Sequence, residues 1–142
     1  MNFCYHAEQI DKGGNPYVAN IEDLTVQNTN FRTTIWTGCH LQMTLMCIPY
    51  CGEIGLEIHP KTDQIIRVEQ GKAVSVMGKR KDCLDFRQDM CKGDAVFIPA
   101  GTWHNIVNMG RTPLKLSVMY APPNHLKGTV HRTKRDAEKE EY

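Results

Sequence analysis

An all-β barrel is the fold this sequence predicts, and three observations predict it. Turn-forming residues recur about every ten positions through the middle of the chain, the spacing of short strands closed into a sandwich or barrel. Between the turns, apolar and polar residues alternate. Leu41, Met43 and Leu45 fall on one side of a pleat, with Gln42, Thr44 and Met46 on the other. Eleven glycines and seven prolines lie mostly at the breaks between these stretches, where they set turns.

Length and composition narrow the class. A chain of 142 residues is expected to form one domain with a proper core, its barrel spanning about residues 31–122. Seventeen Lys and Arg against sixteen Asp and Glu leave a net charge of +1, so neither a nucleic-acid nor a membrane partner is expected. No apolar run approaches the ~20 residues that span a bilayer, and the start lacks the basic-then-apolar pattern of a signal peptide. A cytoplasmic protein is the expectation. Its six cysteines then stay thiols. Cys47 and Cys51 have the spacing of half a zinc site, but no second pair answers them. The cysteines are read as small, partly buried apolar side chains.

Taken in order, residues 1–30 show no sustained period. Asp11 to Pro16 reads as a loop, and Ile21 to Val26 is ambiguous between helix and strand. Phe31 to Thr37 reads as a strand ending at Gly38, Leu41 to Ile48 as the next, stopped by Pro49. Ile54 to His59 follows as a strand, turned by Pro60 to Asp63. Gln64 to Val68 and Lys72 to Met77 form strands around Gly71. The charged Lys79 to Asp82 reads as a solvated hairpin tip, and Leu84 to Met90 as another strand. Leu114 to Tyr120 is the last clear strand, stopped by Pro122 and Pro123. The polar segment from Arg132 to Tyr142 reads as a short surface helix or a frayed tail without chemistry. Open barrels leave strand edges that pair with another chain unless covered. The first thirty residues are long enough to cross to a partner, so a homodimer is expected.

The most informative stretch is Gly93-Asp-Ala-Val-Phe-Ile-Pro99-Ala-Gly101-Thr-Trp-His104-Asn-Ile-Val-Asn108. It reads strand, tight turn, strand, with a histidine just past the turn. The stretch resembles the second motif of the cupin superfamily, G-x5-P-x-G-x2-H-x3-N, at every fixed position. Upstream, the superfamily's first motif, G-x5-H-x-H-x3,4-E-x6-G, aligns from Gly71. It places His59 at the second His, Glu57 at the first, Gln64 at the Glu and Cys51 at the leading Gly. The resemblance covers roughly residues 40–120 and extends to small single-domain bacterial members often labelled mannose-6-phosphate isomerase-like. It implies a double-stranded β-helix, or jelly-roll barrel, with a short irregular N-terminal segment and a polar C-terminal tail.

The resemblance also implies a metal site. Glu57 and His59 are two apart on a strand and share a face; the implied geometry brings Gln64 and His104 to it. Two imidazoles, one carboxylate and one amide oxygen suit a divalent iron, manganese, nickel, cobalt or zinc ion. The carboxylate has moved from the Glu position to the first His position, so the formal ligand charge of −1 is kept. Gln64 is either a direct ligand or the holder of a bound water, and Asp63 is its substitute if the loop is shifted. Without metal, Glu57 and His59 would be a hydrogen-bonded pair in a polar pocket. Gln42, Thr44, Met46 and Tyr120 are candidates to line the substrate pocket, and His125 and His131 to reach its mouth. Two classes of function stay open. One is a metal-dependent enzyme on a small polar metabolite, with Glu57 or a bound water carrying the proton, by sugar-phosphate isomerisation or iron-dependent oxygen chemistry. The other is a non-catalytic module that binds or senses a small molecule.

Overall fold

The computed structural model describes residues 11–140. Nine strands, β1 (Arg32–Thr37), β2 (Gln42–Ile48), β3 (Asp63–Gln70), β4 (Lys72–Gly78), β5 (Phe86–Cys91), β6 (Ala95–Ile98), β7 (Trp103–Asn108), β8 (Leu114–Ala121) and β9 (Val130–His131), are flanked by helices α1 (Ile21–Gln27) and α2 (Lys134–Lys139). The strands form a six-stranded sheet in the order β6-β3-β8-β2-β1-β9 and a three-stranded sheet in the order β5-β4-β7. Every ladder is antiparallel. The two sheets make the double-stranded β-helix that the sequence predicts. Among the described residues no helix is long and apolar enough to cross a membrane.

Alternation decides which side chains face inward. Across the large sheet, Met46 pairs with Leu116 and Leu116 with Val68; one rung further, Thr44, Val118, Ile66 and Val96 align. Each of these aliphatic residues is buried, a burial worth roughly 1.5–3 kcal/mol per side chain. The next rung, Gln42, Tyr120, Gln64 and Ile98, is also buried but largely polar. The barrel interior thus changes from oily to polar along its axis. In the small sheet, Met77 faces His104 in register and Ser75 faces Ile106.

Several sequence expectations are corrected. Ile54 to His59 is not a ladder strand: it meets β7 through the isolated bridge of Glu57 with His104 and single amide hydrogen bonds from Ile54 to the Ile106 carbonyl and from Gly55 to the Asn105 side chain. Gly55, at φ +109°, takes a backbone conformation that L side chains avoid, and this breaks the run. The last strand of the hairpin starts at Phe86 rather than Leu84. The ambiguous Ile21 to Val26 stretch is helical because Asn20 caps it, its side chain accepting from the Asp23 amide at 3.0 Å. The tail forms α2 because Thr133 and Asp136 make a reciprocal capping box. Cys39, Cys47, Cys51, Cys83 and Cys91 are free thiols, but only Cys47 is partly buried and the other four are exposed. Cys4 lies outside the described residues.

Candidate metal centre

Two segments, β7 and residues 57–59, converge on one point inside the polar end of the barrel. His104 comes from β7, one rung past the turn at Gly101, whose φ of +79° and amide bond to the His59 carbonyl (2.9 Å) tie that turn to the 57–59 segment. Glu57 and His104 then exchange both backbone hydrogen bonds, at 3.0 and 2.9 Å. With the backbones locked, one ligand atom from each of Glu57, His59 and His104 lies within 4.8 Å of the others. Glu57 Oε2 is 3.3 Å from His59 Nε2 and 3.4 Å from His104 Nε2.

The hydrogen-bond census shows what these atoms lack. His104 is 1% exposed, and its Nδ1 donates to the Thr102 carbonyl at 2.9 Å. That fixes the tautomer and leaves Nε2 as a bare lone pair, the orientation of a metal-ligating imidazole. His104 Nε2, His59 Nε2 and the Gln64 side-chain oxygen are all buried without a well-formed hydrogen-bond partner. A buried polar atom left unpaired costs about 1–3 kcal/mol, and three such acceptors in one polar end are satisfied together by a cation. Burial disfavours the Glu57 carboxylate, and hydrogen bonds and charge from His104 and His59 oppose this and lower its pKa where those rings carry the proton. With Nε2 deprotonated, as in a ligand, the rings lend no such help and a cation would take their place. The residues present fit a divalent metal ion.

Gln64 is inward on β3 and 3% exposed. Asp63 is exposed and already accepts the Ala100 amide at 2.9 Å, so it is no substitute. Of the metal set predicted from sequence, Glu57, His59 and His104 are brought together, while Gln64 is buried in the polar rung with Tyr120. The pocket candidates fare differently. A cavity of about 620 Å³ opens beside Glu57 and His59, yet Gln42, Thr44, Met46 and Tyr120 are not on its walls; each is at most 1% exposed. Gln42 spends its amide on structure, donating to the His125 carbonyl at 2.8 Å and accepting the Asn124 and His125 amides at 3.0 and 2.9 Å. Met46 belongs to the hydrophobic core. Tyr120 lies just behind the wall, with its ring edge-on to His59 at 5.8 Å and to His125 at 5.2 Å.

Much of the wall comes instead from parts of the chain without an expected site role, Arg32 and the tail among them. Arg32 of β1, His125, His131 of β9, and Lys134, Glu138 and Glu140 in or beside α2 all line the cavity. His125 and His131 reach the mouth as expected. The tail expected to carry no chemistry closes one side of it. Arg32 was missed because it opens an apolar strand run, where parity alone marked it as one more strand residue. Its inward parity with Thr34 was the available signal.

Comparison with known proteins agrees with this architecture. A family profile described as "Cupin domain" matches residues 44–120. The chain is 54% identical over 127 residues to the uncharacterized protein YrkC of Bacillus subtilis, covering 89% of this chain and 68% of that protein. It is 40% identical over 115 residues to the uncharacterized protein L612 of Acanthamoeba polyphaga mimivirus, covering 80% and 70%. The crystal structure of BH2720 from Bacillus halodurans superimposes with a TM-score of 0.91 at 52% identity, over 92% of this chain and 98% of that one. With the motif residues, the two-sheet barrel and the profile in agreement, this chain belongs to the cupin superfamily.

Proposed function

We propose that Glu57, His59 and His104, completed by Gln64, bind a divalent metal ion in an enzyme that acts on a small polar metabolite. The observation that carries this is the set of three buried, unpartnered polar atoms, two of them within 4.8 Å of the Glu57 carboxylate. Two imidazoles and one carboxylate on one face, with positions left open, are the donor set of non-haem iron(II) oxygen chemistry. When bound, such an ion supplies Lewis acidity or redox chemistry at its open positions.

The protein's own residues prepare that chemistry. Thr102 holds the His104 ring, and the Glu57 backbone pairing holds its carboxylate against both imidazoles. Burial pushes the phenol of Tyr120 up, so it stays protonated and donates near the site; its hydroxyl lies 3.3 Å from His125 Nε2. Glu57 serves as ligand, and Glu57 or a bound water carries the proton. Sugar-phosphate isomerisation is the weaker version, because Lys134, one of the cavity cations, is already 3.6 Å from Glu53. A metabolite-binding module without turnover is the remaining alternative.

The test is elemental analysis of protein purified without added metal, followed by dioxygen-uptake assays after loading with iron, manganese, nickel, cobalt or zinc. Near-stoichiometric metal with oxygen consumption on iron alone supports the oxygenase version. Absence of any bound metal, even after loading, rejects the centre.

A further inference from the structure

We propose that Arg32, aimed by His131, forms an oxyanion subsite in the same cavity, built for the carboxylate of a small ligand whose neighbouring oxygen reaches toward Glu57 and His59. The carboxylate half stands on Arg32 itself; only the reach toward the second half rests on the metal reading above.

Arg32 is 5% exposed and shares the cavity wall with Glu57 and His59. A guanidinium remains charged wherever it is placed, and a buried charge is costly unless paired. Among the described residues no carboxylate forms an ion pair with it. Its neighbours are neutral or apolar: the Phe31 ring, 5.3 Å away, the Tyr120 hydroxyl, and His131, whose Nδ1 is 3.1 Å from Nη1. The Nε donor is buried and has no partner.

The His131 contact orients Arg32 without neutralising it. His131 Nε2 faces Glu140 Oε1 at 2.9 Å, so the proton sits on Nε2 and the Nδ1 lone pair accepts from Arg32. A planar fork held at one nitrogen, with Nε unspent, suits a planar two-oxygen acceptor.

Charge selects the ligand class. Lys134 is paired with Glu53. Burial, reinforced by Arg32, pushes His125 down to about 3, so it is neutral at neutral pH. Arg32 is thus the unpaired cation of the described cavity wall, which also carries Glu57, Glu138 and Glu140. A carboxylate brings one negative charge. A phosphate brings about −1.5 to −2 at neutral pH, which one cation among carboxylates balances poorly. Arg32 and Glu57 line the same cavity, and Tyr120, which feels the charge of both, is edge-on to His59 at 5.8 Å and to His125 at 5.2 Å. A ligand that meets both ends is therefore a small carboxylate carrying a second oxygen.

The experiment is calorimetric titration of glycolate, malonate, inorganic phosphate and uncharged ethylene glycol into metal-free and manganese-loaded protein, with metal content measured separately. The comparison covers wild type, Arg32→Met and Arg32→Lys, with thermal melts verifying folding. Glycolate is expected to bind more tightly than phosphate or the doubly charged malonate, and ethylene glycol not at all. Arg32→Met should weaken carboxylate binding about 30-fold or more, the usual loss when one partner of a buried charged contact is removed. Arg32→Lys, which keeps the charge but not the fork, should weaken it about tenfold. Metal content should be unchanged in both. Carboxylate binding that is equal in wild type and in a folded Arg32 variant overturns the proposal, as does tighter binding of phosphate or no carboxylate binding at millimolar concentration. If wild type takes up no metal, the centre fails, while the metal-free titrations still decide the anion subsite.

Discussion

The cavity joins two polar clusters that are built in opposite ways. On one side, Glu57, His59 and His104 offer ligand atoms: a carboxylate oxygen and two ring nitrogens without a hydrogen-bond partner. On the other, Arg32 offers donors, with a buried Nε and no carboxylate to meet it among the described residues. Each cluster is incomplete alone, because buried polar groups are normally paired. The first lacks a cation and the second lacks an anion. A site with both deficits in one cavity is suited to a ligand that is itself anionic and also reaches a metal ion.

The comparison breaks most sharply at the acceptor side. His104→Ala removes a fixed, correctly tautomerised ligand and should lower metal affinity by more than about 100-fold, beyond the range usual for outer-sphere changes. Because an ion that binds only the folded state stabilises it by mass action, the melting temperature in saturating metal should fall as well. The donor cluster should be untouched, so carboxylate binding by the metal-free protein should match wild type. Full metal occupancy in this variant would end the assignment.

Two finer substitutions sharpen where the ligand charge lies. Glu57→Gln removes the one carboxylate of the cluster, and its loss of metal affinity should approach that of His104→Ala. Gln64→Ala removes a neutral oxygen, and its loss should be nearer tenfold, about 1.4 kcal/mol. Competition with a fluorescent chelator separates the two. Equal losses would show that the charge is not concentrated on Glu57.

The difference between the clusters also explains what was legible in the sequence. The acceptor side is local: Glu57 and His59 lie two apart, and His104 follows a turn marked by Pro99 and Gly101, so spacing and motif pointed to them. Asn108, the last motif residue, proves to be a clamp whose side-chain nitrogen donates to the Ile48, Pro49 and Thr112 carbonyls at 3.1, 3.1 and 3.0 Å. The donor side is assembled across 99 positions, from Arg32 to His131, and depends on a two-residue strand and a capped helix turn in the tail. No period or spacing records that pairing. The strands were legible because alternation writes burial into the sequence. The 54–59 segment was misread because its apolar residues imitate a strand that Gly55 does not permit. Gln42 and Tyr120 were taken for pocket walls on parity alone. Parity distinguishes inside from outside, but not cavity wall from the layer behind it.

The joint between the two clusters is testable by acid. His125 is burdened first by burial and then by the Arg32 charge, with His131 and His59 acting in the same sense and Glu57 opposing. Its folded value of about 3 lies below the ordinary 6.5. Above pH 6.5 the ring is neutral in both folded and unfolded chains and contributes no pH dependence. As pH falls from 6.5 toward 3, the unfolded chain takes up a proton that the folded protein refuses, so stability falls. Glu57, also depressed, adds its own loss only below its ordinary 4.5, so the His125 contribution is read between pH 6.5 and 4.5 by comparison with a His125 variant. In metal-free protein, urea denaturation across that window should show stability declining with a slope of at most about one proton, reduced by the ring's partial exposure. His125→Gln, which retains a partner for the Tyr120 hydroxyl, should flatten that slope, and adding Arg32→Met to the wild type should shallow it by a smaller amount. Identical slopes in wild type and His125→Gln would mean that the ring is hydrated, and that the cation and the carboxylate do not meet across it.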